Sequence, residues 1–183
     1  MYVPSKPYVI QSGKREGQVL ENLAFSHYDY LVWQLRKCRE RGTSGHKNAL
    51  QERLEWLILR GENRQTKMLC PYCGERLVTR FSLLQRREGS STDLHFICCD
   101  QEKCQDEIRA QSPDQEPVFL PFKFSSLLEI WSRGDRRLVA QMFRDVFGLP
   151  KPLTREAAFQ FFKEEVKSDK PIIWHKEQTA FTL

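Results

Sequence analysis

Two cysteines, Cys70 and Cys73, stand three positions apart in the run KMLCPYCGER, and the turn they make ends on Gly74. A second pair, Cys99 and Cys104, brackets the polar run in FICCDQEKC, so the four fall in a C-x2-C, 25-residue, C-x4-C pattern. Thiolates are soft ligands. Two short knuckles on neighbouring turns bring four of them to the corners of a tetrahedron without strain, which is the coordination zinc prefers. Four sulfurs fill that shell and leave no position for a catalytic water, so the centre is expected to be structural. In small zinc peptides such binding supplies roughly 10 kcal/mol or more of folding free energy. Cys98 competes with Cys99 for the third place, but neighbours in a strand point to opposite faces and only one should reach the metal. Cys99 is favoured because it opens the turn. Cys98 and Cys38 then read as small buried apolar residues.

The knuckles need a scaffold. Leu77 to Arg87 reads as a strand, Glu88 to Thr92 as a turn, and Asp93 to Cys98 as the return strand. A hairpin between two cysteine knuckles resembles a zinc ribbon. On the period of two, Arg76, Arg80 and Arg86 share one face of the outgoing strand, and Leu77, Phe81 and Leu83 share the other. With Arg87, the stretch 76–87 holds four arginines and no acid. It is expected to be either a basic arm for phosphates or a solvated outer face.

Upstream, YVIQSGKREGQVL (Tyr8 to Leu20) places a turn between Gly13 and Gly17, flanked by two short apolar strands. SHYDYLVWQL follows, with Tyr28, Leu31, Val32, Leu35 and Cys38 on one helical face and Ser26 and Asp29 placed to cap its start. Gly13, Lys14, Gly17, Leu20, Tyr30, Leu31 and Trp33 match a small module found at the C-terminus of exodeoxyribonuclease X-like proteins, which this segment resembles. Ser12 and Arg15 depart from it, standing where the module usually has aromatic residues. The resemblance implies association with nucleic-acid-processing machinery and brings no catalytic residue with it. Gly13-Lys14 lacks the spacing of a phosphate-binding P-loop and is simply part of a hairpin turn. A second helix is expected from Ser44 to Arg60, with Leu50, Leu54, Leu57 and Ile58 inward and Gly61 ending it. Lys37, Arg39, Arg41 and Lys47 surround the Gly42 to Gly45 connection and join Lys14 and Arg15 as candidate phosphate contacts.

Residues 1–69 hold 12 Lys/Arg against 7 Asp/Glu, an excess that equals the formal net charge of +5 of all 183 residues. Concentrated basic surface makes nucleic acid, with DNA foremost, the leading partner class. MYVPSKPYVI has no apolar signal core, and no apolar run reaches the roughly 18 residues of a membrane span. A cytoplasmic, reducing setting is therefore expected, where CxxC spacing favours chelation over disulfides. After a linker at 111–117, helical patterns run over Ser125 to Arg133, Asp135 to Phe147 and Thr154 to Lys167, and Pro171 to Trp174 is a possible strand. The stripe Leu138, Val139, Met142 and Val146 should meet Phe159, Phe162 and Val166 in a core. His27, His46, His95 and His175 are scattered and form no catalytic spacing.

These readings predict an α+β protein: a basic β-hairpin-helix module over 1–67, an inserted four-Cys zinc ribbon over 68–110, and a helical C-terminal region over 111–183. The expected role is a non-catalytic nucleic-acid-binding subunit of a larger repair, recombination, mobile-element or RNA-guided defence complex, with no small-molecule substrate. A protein-protein adaptor is the alternative from another class, and a nuclease a third.

Overall fold

A computed structural model describes residues 3–41, 48–83, 95–111, 113, 116–130 and 133–164. In chain order the elements are α1 (Leu20–Leu23), α2 (Tyr28–Glu40), α3 (Ala49–Glu62), β1 (Arg80–Leu83), β2 (His95–Cys98), α4 (Glu102–Gln111), β3 (Val118–Pro121), a 3-10 turn η1 (Phe124–Glu129), α5 (Arg133–Val146) and α6 (Arg155–Lys163). The strands form one antiparallel sheet in the order β2-β1-β3, and helices make up most of the rest, so the chain is α+β.

The N-terminal hairpin forms, but as a single bridge, Val9 with Val19, and not as two strands. Ile10 N–H donates to Gln18 O at 3.0 Å and Leu20 N–H to Tyr8 O at 2.9 Å. Gly13 and Gly17 take φ of +88° and +76°, which closes the turn at no Cβ cost. The ladder stops there because Leu20 already starts α1. At this corner Glu21 is fully buried and accepts from Arg53 Nε at 2.7 Å and from Tyr8 N–H at 3.1 Å. The Arg53 guanidinium also donates to Lys6 O and lies against the rings of Trp56 and Phe159. Hairpin, α1, α3 and α6 are thus tied through one buried ion pair.

On α2, Tyr28, Leu31, Leu35 and Cys38 are buried on the expected face, with Val32 half-buried beside them. The capping expectation fails. Ser26 Oγ turns back to Asn22 O, Asp29 pairs with Arg136 at 3.4 Å, and the His27 side chain at the N-cap does not cap the helix. Helix α3 buries Leu54, Leu57 and Ile58 with Leu50 half-buried, and Asn48 caps it by accepting from Gln51 N–H. Gly61 does not end this helix. It lies inside the last turn, where a Cβ would stand 3.0 Å from Phe124 Cδ2 and 3.3 Å from Phe162 Cε1. Its role is close approach.

One main core runs from Ile10 to Phe162 and is unusually aromatic. Phe124 on η1 lies 5.3 Å from Phe25, 5.4 Å from Tyr28 and 5.3 Å from Phe143, and stacks on Phe147 with the rings 2° from parallel. The residues expected as helix from Ser125 form this tighter 3-10 turn instead. Helix α5 turns Val139, Phe143 and Val146 inward, with Phe147 buried just after it, whereas Leu138 is 44% exposed. One residue of a helix is about 100° of rotation, and once Val139 points inward Leu138 faces away. Thr154 caps α6 by accepting from Ala157 N–H, and Phe159 and Phe162 are buried as expected. Val166 and the Pro171 to Trp174 segment lie outside the described residues.

Glu62, the last residue of α3, is buried, and among the described residues its hydrogen-bond partners are all neutral. It accepts from Tyr28 Oη at 3.0 Å, from Ser125 N–H at 2.6 Å and from Ser125 Oγ at 2.8 Å. Burial pushes its carboxyl above the ordinary value, and the same desolvation, with Glu62 alongside, raises Tyr28.

Two expectations follow for stability. Gly61→Ala forces a methyl group onto two core rings and should cost about 1–3 kcal/mol in a denaturant titration. Because the folded-state pKa of Glu62 is raised, the stability it contributes is fully present below about 4.5 and is lost as pH rises through the folded value. Wild type should therefore lose stability relative to Glu62→Gln as pH rises from 4.5 towards neutrality, and a flat or opposite difference would refute the role of burial.

Candidate metal centre

The CPYCG turn is built by backbone bonds before any metal is considered. Cys70 N–H donates to Arg76 O at 2.7 Å, Gly74 N–H to Cys70 O at 2.8 Å, and Leu69 bridges Leu77. Gly74 supplies the left-handed residue, with φ of +69°. Backbone N–H groups of Glu75 and Arg76 point at the Cys73 sulfur and hold its thiol down at about 7.

The second knuckle differs from expectation. Cys99 follows the end of β2, but Cys104 sits in the first turn of α4 and not in a plain polar turn. Helix α4 buries only Cys104 and Ile108, which is the spacing of one turn. All four sulfurs, of Cys70, Cys73, Cys99 and Cys104, lie within 4.8 Å of one another, and Cys73 Sγ to Cys99 Sγ is 3.9 Å. A tetrahedron of zinc–sulfur bonds at 2.3 Å has edges of about 3.8 Å, so the arrangement is compatible with zinc. Among the described residues these four form the one group of three or more Cys, His, Asp or Glu placed to share a metal ion.

Cys98 is not in this group. It pairs with Arg80 across the sheet, is fully buried, and belongs to a small satellite core with Ile108 and the other cysteines. Burial, with Cys70 adding to it, pushes its thiol up to about 12. Burial also raises Cys99 and Cys104, and for Cys104 hydrogen bonds from neighbouring sulfurs add to the rise. A metal cation would have to displace those protons. Gln101, which sequence reasoning passed over, has its side-chain oxygen 3.9 Å from Cys99 Sγ and 3.7 Å from Cys104 Sγ. The same amide, turned about its terminal bond, presents N–H donors to thiolates.

The sheet carries the centre in an unforeseen way. A third strand, β3, pairs with β1 on the side away from β2, in register Ser82 with Phe119. Phe81 enters the main core with Ile97 and Leu120 beside it, while Phe96, Ser82 and Phe119 form a row on the opposite face, towards the sulfurs.

The predicted basic residues are spread over two regions. Lys14 is exposed at the hairpin turn, and Arg15 lies 6.0 Å from the Tyr30 ring. Lys37 Nζ stands 3.9 Å over the Trp33 ring, Arg39 pairs with Glu55 at 3.7 Å, and Arg41 is exposed at the end of α2. Near the sulfurs, Arg76 pairs with Asp100 at 3.3 Å and Arg80 is half-buried on β1. Of the expected row of Arg76, Arg80 and Arg86, Arg76 lies outside the strand, because β1 starts only at Arg80 and Arg76 belongs to the knuckle. The burial order reverses there too: Leu77 is 39% exposed and Val78 fully buried. Lys47, Arg86 and Arg87 lie outside the described residues, as do His46 and His175. His27 contacts Ser26 Oγ at 3.0 Å, and His95 opens β2.

Metal analysis of the purified chain should return one equivalent per chain. Serine at Cys70, Cys73, Cys99 or Cys104 should abolish it, and Cys98→Ser should keep it. Because the satellite core is separate from the main one, chelation should remove hydrogen-exchange protection from 95–111 while α2 and α3 keep theirs. Retention of metal by Cys99→Ser would overturn the assignment. Comparison of the chain with protein-family models, with curated proteins and with solved structures returns no match.

Proposed function

We propose that the chain is a non-catalytic, zinc-containing nucleic-acid-binding subunit, with DNA the expected ligand, acting within a larger repair, recombination, mobile-element or RNA-guided defence complex. The observation that carries the reading is the four-sulfur group, whose members all lie within 4.8 Å. Four thiolates complete a tetrahedral shell, so the ion holds structure and does no chemistry on a substrate. Soft sulfur in that geometry selects zinc or an iron–sulfur centre, and zinc suits a purely structural task. In this reading the two knuckles and the β1–β2 hairpin act as a zinc ribbon set between the hairpin-helix segment and the C-terminal helices. What it presents is surface. Lys14, Arg15, Lys37, Arg39 and Arg41 lie at least partly open to solvent on the N-terminal segment that carries the basic excess.

The adaptor reading has its own support. Leu69 and Leu77 face the same side of their bridge at the foot of the first knuckle and are 52% and 39% exposed. Neighbouring exposed leucines on a metal-stiffened turn suit a protein partner.

Salt separates the two. Anisotropy of a labelled oligonucleotide should rise with the zinc-loaded chain, and affinity should fall steeply as salt is added, because each phosphate contact contributes about 0.7–0.9 to the log–log slope. The triple variant Lys37→Ala, Arg39→Ala, Arg41→Ala should flatten that slope by roughly two units if all three side chains touch phosphate. No strand cleavage should accompany binding. If wild type binds neither single nor double strands at low salt, the adaptor reading replaces this one.

A further inference from the structure

The outer side of α2 carries a second row, in which Tyr30 is half-buried against the main core and Trp33 stands exposed. While Tyr28, Leu31, Leu35 and Cys38 are buried, Tyr30, Trp33, Gln34 and Lys37 follow the i, i+3, i+4, i+7 spacing of a second stripe. Trp33 is 45% exposed, although tryptophan is a costly residue to leave in water. Its ring lies 5.9 Å from that of Tyr30 at an angle of 37°. Gln34 Nε2 donates to Tyr30 Oη at 2.8 Å and fixes the phenol. A cation closes each end: Lys37 Nζ is 3.9 Å above the Trp33 ring, and the Arg15 guanidinium from the hairpin turn is 6.0 Å from the Tyr30 ring. The order across the surface is therefore cation, ring, ring, cation. Of the acids on neighbouring turns, Asp29 pairs with Arg136 and Glu55 with Arg39.

We infer that this row is a stacking platform for a single-stranded nucleic acid, with adjacent bases lying on Trp33 and Tyr30 and the flanking phosphates meeting Lys37 and Arg15. The inference rests on the nucleic-acid reading above and narrows it. Two features select the ligand. An exposed indole with a half-buried phenol beside it needs a partner with flat faces, and bases offer those only when they are not already stacked in a duplex. Cations bracketing the rings need anions repeating along the same partner, which a phosphodiester backbone supplies. An apolar protein surface would match the indole but would strand two charges, and an acidic peptide would pair the charges but leave the rings without a π-face. Lys37 now rests on the indole; on binding it moves to a phosphate and gives that face to a base.

The test uses the full zinc-loaded chain with a fluorescein-labelled, mixed-sequence single strand and with the duplex of the same sequence. Wild type should bind the single strand more tightly than the duplex. Trp33→Ala should weaken single-strand binding about tenfold, the loss typical of one stacked base, while Trp33→Phe should keep most of it. Trp33→Ala should keep the wild-type salt slope because stacking releases no counterion, whereas Lys37→Ala should flatten the slope by about 0.7. Unchanged melting of Trp33→Ala would show that the fold survives, as its exposure leads one to expect. If wild type binds single strands and Trp33→Ala binds them equally well, the platform is overturned and the broader reading stands. Equal losses on single strand and duplex would overturn it too, and absence of all nucleic-acid binding by wild type would remove both.

Discussion

The arrangement depends on the middle strand of a very small sheet having to satisfy two interiors at once. Strand β1 is four residues long, and its two faces go to different cores. Phe81 enters the aromatic interior, 5.5 Å from Phe122 and 6.0 Å from Phe143, while Ser82 is sealed between Phe96 and Phe119 on the side of the sulfurs. A slip of one residue would exchange the faces and place Phe81 against the cysteines and Ser82 among the phenyl rings. Register is therefore held from several directions. Thr79 N–H donates to Cys98 O at 2.9 Å, Phe122 N–H to Thr79 O at 2.7 Å, and the Thr66 hydroxyl bonds Val78 O. The sulfurs inherit their positions from that register.

Polar groups buried in the main core act in the same sense. Glu21 with Arg53 fixes where the N-terminal hairpin meets α3, and Glu62 fixes the start of η1 through Ser125. Neither is an efficient source of stability, since desolvating a carboxylate offsets most of what its partners return. Both are specific about geometry. An apolar core with nine phenylalanine rings can be filled in several ways, and these anchors select one of them.

Legibility in the sequence followed how narrowly the chemistry limits the choices. Four thiols at knuckle spacing have few other uses, so Cys70, Cys73, Cys99 and Cys104 were readable as a group. Helices α2 and α3 were readable because their apolar residues repeat at the helical period over three turns, and the hairpin because two glycines are placed where only φ above zero will turn the chain. Helix α4 was hidden, since Cys104 and Ile108 are its only buried residues and all the others but Ala110 are polar. Strand β3, with sequence VFLP, was hidden by its two prolines; Pro117 precedes it and Pro121 ends it, which an edge strand tolerates. Gly61 was misread as a stop because sequence cannot distinguish a glycine that ends a helix from one that admits a ring. Arg76 was assigned to the strand for a similar reason. A period of two was extended back from β1 into the knuckle, where backbone bonds between Cys70 and Arg76 set a different path.

The aromatic core also constrains the order in which the molecule can be made. The ring of Phe25, just ahead of α2, packs 5.3 Å from that of Phe161 on the last described helix, and Trp56 on α3 meets Phe159 and Phe162. Helices α1 to α3 leave the ribosome long before α6, and until η1 and then α6 arrive their apolar sides are only partly covered. Contacts so distant along the chain slow folding, because a long loop must close before they form. The nascent protein therefore passes through a stage in which its N-terminal third displays hydrophobic surface to the cell, a window in which chaperones, or a partner assembled during translation, have their strongest hold on it.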